Sequence, residues 1–332
     1  MSSVANVLIH PSQFPENVRR DLLVSLRTRR VNHKFHYDSV KQTQKWLTLH
    51  QACSPSRTDA DCARIYDRSF ESVSRQIKAA RVHLIGLGCG GGQKDTRLLG
   101  MLKKRAGALF YTPCDVSVAM VLVARRTALA TVPERHCFPF VCDLATADDL
   151  PRVMKEFGPP RAVRLITFFG MIPNFEPDAI LPKLAALVRR QDYLLFSANL
   201  APDGDYARGM TRILPQYDNP LTRDWLMTFL IDVGIEPGDG KLRFGVEDDP
   251  AGSGLKRVAA DFHFVRARRL QVEGRRFRFR PSESIRLFFS YRHTPDLTDA
   301  LLGRHGLTVL DRWIAPSEEE AVFLCTRRPK ST

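Results

Sequence analysis

Val82-His83-Leu84-Ile85-Gly86-Leu87-Gly88-Cys89-Gly90-Gly91-Gly92 runs from an apolar stretch into glycines, and the helical pattern Asp95 to Arg105 follows it. An apolar strand that ends in Gly-x-Gly-x-Gly and opens a helix lets backbone amides and a helix N-terminus face a ligand without side chains in the way. NAD, FAD and S-adenosylmethionine binders share this pattern, and a plain flexible strand-to-helix loop is its structural alternative.

The same rhythm continues outward. Short apolar runs at Ala108 to Thr112, Phe138 to Cys142, Arg164 to Phe168 and Tyr193 to Ser197 are separated by helical stretches. These run from Ser117 to Ala128, Ala147 to Phe157 and Asp178 to Arg190. Strands alternating with helices predict a parallel sheet covered by helices on both faces. Two acids stand at the carboxyl ends of the next strands. Asp115 closes Phe110-Tyr111-Thr112-Pro113-Cys114-Asp115, where a carboxylate can accept both ribose hydroxyls of a nucleotide. Asp143, followed by Leu144, closes the third strand, where in methyltransferases an acid accepts from the adenine amine; each acid could instead cap a helix. Together with Gly86, Gly88 and Gly90, they point to S-adenosylmethionine as the cofactor.

Upstream, the first 80 residues read as helical, with helices opening at Pro15, at an Asp38 cap and at Thr58-Asp59. Downstream, Gly204 to Ile235 is helical with a break at Asp218-Asn219-Pro220, and Pro237 to Gly254 reads as a loop. Arg276-Phe277-Arg278-Phe279-Arg280 alternates with period two and predicts a hairpin turning at Glu273-Gly274. Pro295 to Arg304 is helical, and Leu307 to Ile314 and Ala321 to Thr326 are final strands. The expected fold is α/β, a Rossmann-like class I methyltransferase sheet with a second, discontinuous substrate-covering domain. Residues 1–80 and 204–290 would build the cover, 81–203 the cofactor domain, and 291–332 the strands that complete the sheet.

Composition narrows the function. The chain has 332 residues, 44% hydrophobic and 26% charged, as in a folded globular protein. No run approaches the roughly 20 apolar residues that span a bilayer, and no signal peptide is seen, so a cytoplasmic protein without membrane contact is expected. Seven scattered cysteines without a Cys-x-x-Cys pair argue against a disulfide framework and a metal site. The net charge of +14 raises nucleic acid as a partner. Against it, the densest arginines alternate as on a strand, and the prolines and aromatic that amino-group nucleic-acid methyltransferases use on an extruded base are replaced by Ile172-Pro173-Asn174-Phe175-Glu176-Pro177. A small-molecule partner and a monomer or weak dimer are expected.

Several motifs resemble the histidine-specific Nα-methyltransferases of ergothioneine biosynthesis and their fungal relatives that methylate a prenylated tryptophan. They are Phe35-His36-Tyr37-Asp38, Ser56-Arg57-Thr58, Leu87-Gly88-Cys89-Gly90 with Lys94, Asp115-Val116-Ser117, Asn174-Phe175-Glu176-Pro177, Tyr217-Asp218-Asn219, and Ser284-Ile285-Arg286 ahead of Ser290-Tyr291-Arg292. The resemblance implies that Gly88, Lys94, Asp115 and Asp143 hold the cofactor. It implies that Tyr37, Asn174 and Tyr217 hold the amino and carboxylate groups of an amino-acid substrate. A sulfonium methyl is already activated, so such an enzyme supplies mainly proximity and orientation.

The departures matter as much. In that family the glutamate that reads imidazole corresponds to Phe288, a pocket methionine to Phe262 and a pocket tyrosine to Ser54, with Ser290 beside them. Phenylalanine cannot accept from imidazole, so histidine is not the expected substrate. Phe262 and Phe288, with Phe168 and Phe169, would instead form an aromatic wall suited to an apolar or aromatic amino acid, or to the sulfonium itself. Methyltransferases also usually carry an acid at the position of Gly86 to orient the methionine amine. Its loss leaves open an intramolecular alternative, in which that amine closes a four-membered ring as azetidine-2-carboxylate and releases methylthioadenosine.

Overall fold

A computed structural model gives the fold and describes residues 4–328. The chain begins with β1 (Leu8–Ile9) and the helices α1 (Pro15–Thr28), α2 (Val40–Cys53), α3 (Pro55–Thr58) and α4 (Ala60–Gln76). It then alternates: β2 (Arg81–Leu87), α5 (Gln93–Lys103), β3 (Ala108–Asp115), α6 (Val118–Ala128), β4 (Phe140–Val141), α7 (Leu150–Phe157), β5 (Val163–Phe168), α8 (Pro177–Leu187) and β6 (Tyr193–Asn199). Strand β2 is buried along both faces after Arg81, which is why its sequence reads as an apolar run interrupted only by His83, itself buried and paired with Thr112. The caps are local: Asp59 accepts from the Asp61 amide at the start of α4, and Ser117 from the Met120 amide at the start of α6.

Helices α9 (Tyr206–Tyr217) and α10 (Pro220–Asp232) follow, then β7 (Gly240–Asp248), β8 (Lys256–Phe264), β9 (Arg268–Val272), β10 (Arg275–Phe279) and β11 (Ser284–Arg292). The chain closes with α11 (Pro295–Arg304), β12 (Leu307–Ile314) and β13 (Glu320–Arg327). The main sheet has eight strands in the order β1-β4-β3-β2-β5-β6-β13-β12. Strands β1 through β6 pair in parallel, whereas β13 is antiparallel to both β6 and β12. This is a Rossmann-like α/β sheet. Its order reverses between β2 and β5, and in open α/β sheets a ligand crevice opens at the carboxyl ends of the strands flanking such a point.

Two apolar layers cover the sheet, one including Phe140, Ile166, Phe168, Phe196 and Phe323, the other Tyr66, Phe70, Leu98, Leu165 and Leu324. A third core lies outside it. Leu26 and Phe35 from the N-terminal segment meet Trp225 and Phe229 of α10 over the antiparallel sheet β11-β8-β7. A backbone bridge between Arg30 and Arg286 joins the two sequence-distant parts.

Three local expectations change. The first 80 residues are not wholly helical, because Leu8–Ile9 adds an edge strand beside β4. Ser39, not Asp38, caps α2. Half of Pro237 to Gly254, expected as a loop, is β7. Its alternation Leu242, Phe244, Val246 against Lys241, Arg243, Glu247 is that of a half-exposed edge strand, hidden by the Gly, Asp and Pro at its ends. The Arg/Phe hairpin does turn at Glu273 and Gly274, with φ of 50° and 73°. Its neighbours Arg266 and Arg268 pair with Glu236 and Asp239. Among the described residues no helix is long and apolar enough to cross a membrane, and no cluster fit for a metal ion is found.

Candidate active site

A cavity of about 720 Å³ opens at the reversal point, between the carboxyl ends of the sheet and the outer layer. The glycine turn forms its floor. Gly88 has φ of 63°, and a Cβ there would come within 2.5 Å of the Met171 side chain, so both conformation and room require glycine. The turn is tied to the next strand: the Cys89 amide donates to the Cys114 carbonyl, and the Gly90 amide donates to Asp115 Oδ2 at 2.9 Å.

Asp115 also accepts from the Ser117 amide through Oδ1 at 3.0 Å. Burial pushes its pKa up, against these backbone hydrogen bonds, which favour the charged form. Asp143 accepts from the Ala145 amide through Oδ1 at 2.9 Å, while Ser12 Oγ accepts from the Asp143 amide. Asp143 Oδ2 is buried without a hydrogen-bond partner and lies 3.5 Å from the Lys34 ammonium, which is itself paired with Asp21. A buried carboxylate oxygen left open at the cavity edge fits an incoming amino group. Lys94, whose pKa is lowered by burial, holds its ammonium 3.9 Å from the centre of the Tyr66 ring. The Tyr66 hydroxyl and the Cys62 thiol both donate to Glu320 on β13.

Gly86 does not reach the cavity wall. A Cβ on Gly86 would stand 1.9 Å from Asp95 Oδ2, so the carboxylate of Asp95, from the first turn of α5, fills the room that a side chain at Gly86 would need. Asp95 accepts from the Tyr111 hydroxyl at 2.8 Å and from Thr167 Oγ1 at 2.7 Å. Burial outweighs these bonds and raises its pKa to about 6.

The opposite end of the cavity is aromatic with a polar edge. Tyr37 packs edge-on against Trp46 and tilted against Trp225. Burial, and then the charge of Asp115, push its phenol well above the ordinary range. Asn174 donates through Nδ2 to the Phe289 carbonyl at 3.0 Å. The Tyr217 hydroxyl donates to Ser290 Oγ at 2.9 Å and accepts from Arg292 Nε at 3.1 Å. Phe288 lies against Trp225 and stacks on His33 with ring centres 5.4 Å apart, and Phe289 lies 4.6 Å from the same His33 ring. Burial first, then the charges of His36, Arg257 and Arg30, push the His33 pKa down to about 3, so its ring is neutral at neutral pH. Neither of its nitrogens has a hydrogen-bond partner.

Thus Gly88, Gly90, Lys94, Asp115, Asp143, Leu144, Tyr37, Ser54, Asn174, Tyr217, Phe288 and Ser290 all border one cavity. Phe262 does not, which corrects its expected place in the pocket. It is 1% exposed, packs against Phe264 in the third core and blocks any side chain at Gly240. Phe168 is likewise core, whereas Phe169 reaches the wall. Asp95, His33, Trp46, Trp225 and Glu320 border the cavity without having been expected there. Only Asp95 carried a local signal, as an acid next to Lys94 in the first turn after the glycines. The Glu176 of the Asn-Phe-Glu-Pro motif accepts from Arg30, Arg257 and Tyr291, and so ties the wall of the cavity to the outer sheet.

Residues 19–217, more than half of the chain, match the family described as histidine-specific, S-adenosylmethionine-dependent methyltransferases, and the chain belongs to this family. No curated protein matches it. Among solved structures, a S-adenosylmethionine-dependent methyltransferase from Clostridium acetobutylicum ATCC 824 is 13% identical with a TM-score of 0.46, over 86% of this chain and 99% of that one. The magnesium protoporphyrin IX methyltransferase of Synechocystis PCC 6803 is 11% identical with a TM-score of 0.46, over 89% and 97%. The glycopeptide N-methyltransferase MtfA is 14% identical with a TM-score of 0.38, over 80% and 94%. The enzyme is therefore a methyltransferase that uses S-adenosylmethionine.

Proposed function

We propose that this member of the family methylates the α-amino group of a small apolar or aromatic amino acid, and that histidine is not its substrate. One observation carries the proposal: Phe288, backed by Trp225 and stacked on His33, faces the cavity beside the polar edge of Asn174, Tyr217 and Ser290. An apolar wall next to hydrogen-bonding groups suits a molecule with an amino-acid head and an apolar side chain. Asp115 would take the ribose, Asp143 the adenine amine and Lys94 the methionine carboxylate, with Gly88 and Gly90 allowing close approach. The bound cofactor supplies a sulfonium-activated methyl group. The protein's part is to hold the acceptor amine in line and to exclude water. Tyr37, Asn174 and Tyr217 position the amino-acid head, and the neutral His33 offers one nitrogen as donor and the other as acceptor. The outer layer, where α1, Phe35 and α2 meet α10 and the sheet β11-β8-β7, would close over the acceptor.

A second reading is intramolecular. The rings of His33, Phe288 and Phe289 pack together along the aromatic wall of the cavity, and such a wall would also suit the cofactor's own sulfonium in a reaction that needs no second molecule. Here the amine of the cofactor's methionine end, once deprotonated, forms a bond to its own Cγ. The Cγ–S bond breaks, and methylthioadenosine leaves with the electron pair, giving azetidine-2-carboxylate. Incubation with S-adenosylmethionine decides between the two. S-adenosylhomocysteine that appears only with an apolar or aromatic amino acid, and not with histidine, supports transfer. Methylthioadenosine formed from the cofactor alone refutes transfer and supports cyclisation.

A further inference from the structure

We propose that Asp95 is the anionic site for the α-ammonium group of the cofactor's methionine end, taking from the helix the place that Gly86 leaves empty on the strand. The inference rests on the cavity being the cofactor site. The carboxylate lies where a side chain on Gly86 would have to be, so an acid at residue 86 and Asp95 in its present place exclude each other. Tyr111 on β3 and Thr167 on β5, the strands on either side of β2, each donate a hydroxyl and hold the carboxylate over the end of β2. Asp95 borders the cavity although it is only 3% exposed.

Its partners are both neutral. Among the described residues no lysine, arginine or histidine forms a direct ion pair with Asp95, and Lys94 favours its charge only from a longer distance. A buried carboxylate in that state favours a ligand that brings a cation and desolvates against it. The neighbouring Lys94 is half-buried, and its ammonium lies over the Tyr66 ring at 3.9 Å. Two consecutive residues thus present opposite charges to a single cavity, complementary to the ammonium and carboxylate of one amino-acid head. Because burial raises the Asp95 pKa to about 6, and a bound ammonium favours the charged form, cofactor affinity falls as pH drops through that value.

The test is calorimetric titration of the intact protein with S-adenosylmethionine and with methylthioadenosine, which lacks the amino-acid head, from pH 5 to pH 8. Asp95→Asn should weaken S-adenosylmethionine by about 10- to 100-fold at pH 8 and flatten its pH dependence, with methylthioadenosine unaffected. The double variant Gly86→Asp with Asp95→Ala, which returns the acid to the strand, should recover most of the lost affinity. Equal weakening of both ligands would show that Asp95 only supports the fold of the turn, and unchanged S-adenosylmethionine binding would show that it does not meet the ammonium; either overturns the proposal. Asp115→Ala is the control, because if it leaves both ligands bound as before, the cofactor-site assignment itself fails.

Discussion

Replacing Asp115 with alanine tests the cofactor site at its most connected point. The side chain holds the Gly90 amide at 2.9 Å and the Ser117 amide at 3.0 Å, so each oxygen keeps a lone pair for a ribose hydroxyl. A hydrogen bond to a charged acceptor contributes about 1.5–3 kcal/mol, so losing two removes about 3–6 kcal/mol from cofactor binding. At about 1.4 kcal/mol per factor of ten, that is a fall in affinity of about 100- to 10,000-fold. Water entering the vacated space recovers part of it, so the expected value is near the lower bound. The glycine turn also loses its tie to β3, which adds a modest loss of thermal stability. Isothermal titration with S-adenosylhomocysteine measures the affinity, and a thermal melt of the free protein measures the turn. An affinity within about threefold of wild type, less than 1 kcal/mol, in a folded variant would refute the assignment of the ribose to the end of β3.

Phe288→Glu places a carboxylate against His33 and Trp225 in an apolar site. Turnover of an apolar acceptor, or of the cofactor alone if the reaction is intramolecular, should fall by about tenfold or more; an unaffected rate would mean that Phe288 does not face the reacting molecules. Asp192→Asn probes the fold away from the site. Asp192 is 1% exposed and accepts from Arg164 Nε at 2.7 Å and Arg189 Nε at 2.8 Å. Removing its charge leaves Arg164 buried and should cost about 3–5 kcal/mol in urea unfolding at pH 7. Burial alone would raise the Asp192 pKa, but the hydrogen bonds from Arg189 and the charge of Arg164 outweigh it and hold the folded value below the ordinary one. Its contribution is therefore complete above the unfolded pKa of about 4 and fades as pH falls toward the lower folded value. The advantage of wild type over Asp192→Asn should shrink in acid, and an advantage that grew there would contradict the pairing.

Much of the sheet and of the glycine end of the cavity is legible in the chain because the signals are local. A run such as Val82 to Ile85, buried on both faces, is apolar apart from His83, whose ring pairs with Thr112 Oγ1 at 2.8 Å, and a turn that brings backbone close to a ligand favours glycine. Asp115 and Asp143 are readable for the same reason, since a strand end fixes where the next side chain stands. The aromatic end of the cavity is not local. Trp225 reaches the cavity through a hydrogen bond from its indole to the His36 carbonyl, 189 residues away, and His33 enters by stacking on Phe288. Phe262 and Phe288 look alike in sequence. The register shift between Arg286 and Phe288 pairs Phe288 with Ala260, on the same side of β8 as Phe262, and only their places along the sheet differ: Phe288 meets Trp225 and His33 at the cavity, whereas Phe262 packs on Phe264 in the core.

By itself, then, the sequence determined the alternating sheet, the glycine turn, the two strand-end acids and the resemblance to its family. It also showed that Gly86 lacks an acid. Only the tertiary structure decided what stands in that acid's place, because Asp95 comes to lie over Gly86 through the packing of α5 on β2 and through hydroxyls from two other strands. Local pattern dictates periodicity and turn chemistry, whereas the filling of a buried volume depends on every chain segment that borders it.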